Sequence, residues 1–334
     1  MKTIKVGLLG IGNVGSGTYR ALEMNSAAIE KSAGVHVEIA KVLNRRPEAK
    51  RAVDVPAEKY TADPYEIIHD PDIRIITEVM GGIEPATTYM ADALKAGKHV
   101  VTANKAALAV NGPMLQQLAM EHHVMLRFEA SVGGGIPIIN AVADPLVSNQ
   151  YDEVLGILNG TTNYILTQME QSGTAFSDAL KEAQRLGYAE ADPTADVEGF
   201  DACRKICILA DLCFGKHIDP NEVRTSGISS VTAEDVKYAE QLGCRIKLLG
   251  RALRTGPSTV TAYVAPHLLS RNSMLSNVSG VMNGIVVRGN ALHTVVEVVG
   301  VAVLPHQWSP VGRKASAHDC RRAAVRVVGR AEKQ

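Results

Sequence analysis

Ile4-Lys5-Val6-Gly7-Leu8-Leu9-Gly10-Ile11-Gly12-Asn13-Val14-Gly15 is the stretch on which the fold turns. Six residues of largely apolar, strand-forming character run straight into Gly-x-Gly-x-x-Gly, and a helix-forming stretch follows. The glycine spacing alone is a weak signal. Set between a strand and a helix, it reads as the phosphate loop of a dinucleotide-binding unit. Gly10 permits the tight turn, Gly12 lets the backbone approach a pyrophosphate, and Gly15 lets the helix pack on the strand. Asn13 and Val14 complete the loop, where unpaired N–H groups and the positive end of the helix dipole meet the phosphates.

Outward from this loop, short apolar runs alternate with helix-length segments as far as Phe128, the pattern of βαβ units. Strands are predicted over residues 4–9, 36–43, 73–79, 99–102 and 124–128, with helices over about 14–29, 85–96 and 105–122. Right-handed crossovers make an α/β fold with an N-terminal Rossmann doubly wound parallel sheet the expected product. From Ser131 the rhythm changes. A turn, Gly133-Gly134-Gly135-Ile136-Pro137, precedes strands predicted near 154–158, 245–251 and 259–264 among several helices, which reads as a second α+β substrate and dimerisation domain. The predicted division is 1–130 for the NAD(P)-binding Rossmann domain, 131–290 for the substrate and catalytic domain, and 291–334 for a tail.

A length of 334 residues also favours two cores over one. The zero formal net charge argues against nucleic acid or an anionic membrane as the main partner. Met1-Lys2-Thr3 leads into the first strand without a secretion signal, and no run reaches the roughly 18–20 apolar residues of a membrane helix. The expectation is a cytoplasmic protein acting on a small molecule. The five cysteines, Cys203, Cys207, Cys213, Cys244 and Cys320, fit neither a disulfide framework nor paired zinc knuckles, although Cys203 and Cys207 share a helix face.

Cofactor preference is legible at the end of the second strand. A site for NAD commonly places an acid there to bind the ribose 2′-hydroxyl; here the strand ends in Asn44-Arg45-Arg46. Two guanidinium groups suit a 2′-phosphate, so NADP(H) is preferred over NAD(H); two solvated loop arginines, or use of both cofactors, are the open alternatives. Lys105 follows the fourth strand at a helix start, where the dipole does not favour a cation, so an anion or a reaction is the better reason for it.

The most chemically loaded segment runs from Leu186 to Lys205 and holds Glu190, Asp192, Asp196, Glu198 and Asp201. Asp201 and Lys205 lie i,i+4 on a helix predicted to begin near Phe200. Two readings stay open. In one, the acids are a solvated loop and the pair is a surface salt bridge. In the other, carboxylates receive a substrate ammonium and Lys205 gives a proton to a carbonyl oxygen as hydride arrives.

Taken together, several stretches closely resemble homoserine dehydrogenase: Gly10 to Gly15, Glu78-Val79-Met80-Gly81-Gly82, Val101-Thr102-Ala103-Asn104-Lys105-Ala106, Glu129 to Pro137, Asn159-Gly160-Thr161-Thr162-Asn163-Tyr164-Ile165, and Gly187 to Pro193 through Lys205. The similarity spans about Lys2 to Asn290. It implies NAD(P)H-dependent reduction of L-aspartate 4-semialdehyde to L-homoserine, in threonine, methionine and isoleucine biosynthesis. It also implies that Lys205 is the proton donor, that Lys105 lies between cofactor and substrate, and that Glu190 and Asp201 bind homoserine with Asp196 nearby. A sodium ion would be held by the Glu129 carboxylate and the carbonyls of Val132, Gly134 and Ile136, and the protein would be a homodimer.

Two rivals stand beside this. A thioester-forming aldehyde dehydrogenase needs a cysteine nucleophile, and Asn159-Gly160-Thr161-Thr162-Asn163 has none. The second is a dinucleotide-binding protein with impaired catalysis. After Gly289-Asn290-Ala291 the family pattern of Phe-Tyr, a Gly-Ala-Gly turn and a Pro-Thr-Ala helix start is replaced by Leu292-His293-Thr294-Val295-Val296 and an arginine-rich end. A shifted reading frame or rearranged gene accounts for that change, with natural divergence as the alternative. The same tail leaves no room for a C-terminal regulatory domain, so threonine feedback is not expected.

Overall fold

Val6-Gly7-Leu8-Leu9 is buried throughout, as a central parallel strand covered on both faces must be. Its side chains alternate between two cores: Val6 and Leu8 pack with Ile11, Tyr19 and Val42, and Leu9 packs with Ile67, Ile76, Met90 and Leu94 on the other face. The computed structural model describes residues 1–46, 51–290, 295–301 and 324–327. It comprises two compact units, Met1–Ser131 and the described residues from Val132 on.

In chain order the first unit contains β1 (Thr3–Leu9), α1 (Asn13–Met24), α2 (Ser26–Ala33), β2 (His36–Leu43), β3 (Tyr60–Thr61), α3 (Tyr65–Ile68), β4 (Ile73–Glu78), α4 (Ala86–Lys95), β5 (His99–Thr102), α5 (Lys105–Glu121) and β6 (Leu126–Arg127). The sheet order is β3-β2-β1-β4-β5-β6 and every pairing is parallel. The doubly wound α/β expectation therefore holds. The order reverses between β1 and β4, and in such sheets ligands bind beyond the carboxyl ends at that point. Those ends carry Gly10–Gly15 and Glu78–Gly82.

Local predictions failed where a short-range device intervened. The helix predicted over 14–29 is broken at Asn25, whose N–H closes α1 on the Ala21 carbonyl before α2 begins. The strand predicted over 124–128 shrinks to the two residues of β6 at the sheet edge, and β3 was not anticipated.

The second unit contains α6 (Ile138–Ala143), β7 (Tyr151–Ile157), α7 (Gly160–Ser172), α8 (Phe176–Arg185), α9 (Thr194–Val197), α10 (Phe200–Phe214), β8 (Arg224–Thr225), α11 (Ala233–Gln241), β9 (Cys244–Arg254), β10 (Val260–Ser270), β11 (Met282–Gly289), β12 (Val295–Val301) and β13 (Ala324–Val327). Its sheet order is β13-β12-β11-β7-β9-β10-β8, antiparallel except for β10 with β8. Helices α7 and α10 pack on β7, β9 and β11. The expected α+β mix is present, and β11, a buried apolar run that alternation does not reveal, joins it. Within the tail predicted from residue 291, β12 and β13 extend this sheet; the remainder, with the altered turn and the shifted-frame reading, lies outside the described residues. Among the described residues no helix is long and apolar enough to cross a membrane.

Candidate active site

At the end of β1 the chain turns through Gly10 at φ +107°, a conformation closed to side-chain-bearing residues at this tightness. A Cβ on Gly15 would lie 2.2 Å from the Gly10 carbonyl oxygen, so α1 starts hard against the turn. Among the described residues, a Cβ on Gly12 would meet nothing within 4 Å. Gly12 precedes α1, which has no side-chain cap and no acid in its first turn, and Val14 beside it is half exposed. The start of α1 thus offers N–H groups and open space together, which fits a dinucleotide pyrophosphate.

Arg45 and Arg46 lie exposed beyond β2. The Arg46 N–H donates to Asn44 Oδ1 at 3.1 Å. A third guanidinium, which sequence reasoning missed, ties this turn to the glycine loop: Arg51 donates to Asn44 Oδ1 at 2.6 Å, the Arg46 carbonyl at 3.0 Å and the Ile11 carbonyl at 3.4 Å.

Lys105 begins α5, and its placement depends on a buried carboxylate also missed from sequence. Glu78, 0% exposed at the end of β4, accepts from Met80 N at 2.8 Å, Thr102 Oγ1 at 2.7 Å and Asn104 Nδ2 at 3.4 Å. Asn104 also donates to the Gly82 carbonyl at 2.7 Å and caps α5 by accepting the Ala107 N–H at 3.2 Å. One carboxylate therefore holds the Gly81-Gly82 turn and the helix start bearing Lys105 in register. The signal was an acid closing the strand Ile73 to Glu78 directly before the Gly81-Gly82 turn.

The second unit concentrates charge where β7 gives way to α7. Lys205 Nζ donates to Asp201 Oδ2 at 2.6 Å and to the Leu158 carbonyl at 2.7 Å. The side chains of the pair are 13% and 5% exposed, so the surface-salt-bridge reading is corrected: α10 turns this face inward onto the β7–α7 turn. Gly199, left-handed at φ +83°, precedes α10 and puts Asp201 in its first turn, where the helix dipole favours a carboxylate. Asn159 Nδ2 donates to Asp196 Oδ1 at 2.7 Å and Asp201 Oδ2 at 2.9 Å. Burial, and then the charge of Asp201, push the Asp196 carboxyl above the usual carboxylate range. An ammonium has three donors, and these two contacts use two of those on Lys205. A proton can pass from the third to an oxygen placed beside it.

Asp196, Asp201 and Lys205 are thus brought together. Glu190 is exposed on the preceding turn, where its carbonyl accepts from Gln184 at 3.1 Å. Glu129 is partly buried at the end of the first unit. Val132, Gly134 and Ile136 open the second unit, in a turn with Gly133 and Gly134 at positive φ and the Ile136 N–H bonded to the Gly133 carbonyl at 3.2 Å. A carboxylate and backbone carbonyls are hard oxygen donors and suit a hard cation. Cys203 and Cys207 are buried free thiols on α10, and no group of three or more His, Cys, Asp or Glu side chains suited to a metal occurs among the described residues.

Residues 10–129 match the family model for the homoserine dehydrogenase NAD-binding domain, and residues 137–302 match that for homoserine dehydrogenase. The chain is 45% identical to a homoserine dehydrogenase of Bacillus subtilis over 292 residues, which are 87% of this chain and 67% of that relative. A crystal structure of a homoserine dehydrogenase from Thiobacillus denitrificans aligns with a TM-score of 0.84 at 43% identity, over 91% of this chain and 70% of that one. A hyperthermophilic archaeal homoserine dehydrogenase in complex with NADPH aligns with a TM-score of 0.75 at 26% identity, over 92% and 95%.

Proposed function

The chain belongs to the homoserine dehydrogenase family, and on that premise we propose that it reduces L-aspartate 4-semialdehyde to L-homoserine with NADPH, a step toward threonine, methionine and isoleucine. The partly buried Lys205 ammonium, fixed by Asp201 and the Leu158 carbonyl with a donor to spare among the described residues, carries this reading. The dinucleotide, when bound over Gly10, Gly12, Asn13, Val14 and Gly15, supplies a hydride to the aldehyde carbon. As the carbonyl π pair moves onto oxygen, Lys205 gives that oxygen its proton and keeps the N–H pair as a neutral amine. Placing a cationic donor where negative charge develops is what lowers the barrier.

The substrate ammonium is received by carboxylates, with Asp201, Asp196 and Glu190 as its partners; Lys105 begins α5, and the family resemblance supports a place for it between cofactor and substrate. Arg45 and Arg46 receive the 2′-phosphate, which favours NADP(H) over NAD(H). Glu129 with the carbonyls of Val132, Gly134 and Ile136 would hold a sodium ion, whose charge would order the turn. The family resemblance carries the remaining expectations, a homodimer in the cytoplasm.

Loss of NADPH absorbance on adding aspartate semialdehyde tests the reading directly. Lys205→Gln should lower kcat by ~10²–10⁴-fold while NADPH binding, followed by fluorescence, is kept. Binding without turnover in the parent chain would favour the dinucleotide-binding protein with impaired catalysis.

A further inference from the structure

Asn159 is buried at the turn from β7 into α7, and its carboxamide is occupied on every side. Oδ1 accepts the Thr162 N–H at 2.8 Å and caps α7, while Nδ2 reaches two different carboxylates, Asp196 at 2.7 Å and Asp201 at 2.9 Å. The cap needs only the oxygen, and Ser, Thr or Asp would supply one. The nitrogen is therefore surplus to the helix. What it provides is a neutral double donor between two acids, which otherwise could not both stay ionised so close together.

We propose that Asn159 is a positioning residue for the reduction: its amide bridges Asp196 and Asp201, so that both stay deprotonated toward the substrate beside Lys205. This rests on the reading of Lys205 as proton donor. The groups that face the amide are Asp196 from α9, Asp201 and Lys205 from α10, and Thr161 of α7, which interacts with Asp196. Lys205 neutralises only the Asp201 side directly, through the Oδ2 atom that Asn159 also holds. Against its burial and its neighbour, Asp196 has the amide first, then the Thr161 hydroxyl and the charge of Lys205.

Asn159→Asp separates the two roles, because it keeps the capping oxygen and the side-chain size but removes the bridging donors. Three carboxyl groups must then share a retained proton. The acid limb of the kcat/KM profile should move up by about one pH unit or more, and kcat should fall ~10²-fold with a smaller change in KM. The carboxyl ¹³C resonances of Asp196 and Asp201 should titrate at higher pH than in the parent chain. Asn159→Ser, capped but too short to span both acids, should show the same upward shift and serves if the first variant does not fold. A parent-like pH profile and parent-like carboxyl titrations in whichever variant folds overturn the proposal. The titrations need no turnover, so an inactive parent chain would refute the reductase reading while the bridge is still tested.

Discussion

Replacing Gly12 and Gly15 by alanine, one at a time, should separate two functions that share one motif. A Cβ on Gly15 would sit 2.2 Å from the Gly10 carbonyl oxygen and 3.0 Å from its carbon, both backbone atoms that cannot swing away. Ordinary contacts need roughly 3.5 Å, so α1 must move off the turn by about 1 Å, and overpacking of that kind costs about 1–3 kcal/mol. Gly12 sits at φ −76°, which alanine adopts freely, and among the described residues its Cβ would meet nothing within 4 Å. Gly12→Ala should therefore change stability by no more than about 0.5 kcal/mol. Both variants should bind NADPH at least ~10-fold more weakly, a loss of about 1.4 kcal/mol, one because the loop is displaced and the other because a methyl fills the space over it. Urea unfolding of the unliganded protein and fluorescence titration with NADPH read the two effects separately. Parent-like affinity in Gly12→Ala would mean that the pyrophosphate does not lie over Gly12. Parent-like stability in Gly15→Ala would mean that α1 is not packed against the turn.

Lys247, 1% exposed in β9, donates to Asn163 Oδ1 at 2.9 Å and the Val278 carbonyl at 2.7 Å, and burial lowers its ammonium to about 8. The folded value lies below the unfolded 10.5, so the native state binds fewer protons between them: stability should rise with pH from about 8 to 10.5, on the order of 3 kcal/mol in all, and this contribution is flat below. Lys247→Met should lack that rise; identical pH slopes in urea unfolding of the two proteins would contradict the assignment. Glu78→Gln leaves three donors facing one amide oxygen, and should cost about 1–3 kcal/mol and speed hydrogen exchange at Met80 and Ala107. Unchanged exchange at both amides would show that Glu78 does not hold these two segments in register.

The phosphate loop and the βαβ alternation could be read from sequence because both arise from neighbours in the chain: a strand, a turn only glycine can make, and a helix start. The same is true of Asp201 with Lys205, which helix periodicity sets one turn apart. Where local devices were subtle, as at Asn25 between α1 and α2 or in the buried run 283–287 of β11, periodicity could not place the boundary. The resemblance pointed to Asp196, Asp201 and Lys205 together, but not to the amide that joins the two acids. Asn159 lies 37 and 42 residues from them, and Glu78 lies 24 residues from Thr102. Such contacts follow from the order of strands and the docking of α10 against β7 and β9, which no local propensity encodes. Sequence alone thus determined which groups the chain carries and how neighbours along it are oriented. The tertiary structure decided that Asp201 is buried, Lys205 partly so, and the pair bridged, because burial depends on what the rest of the chain packs against it.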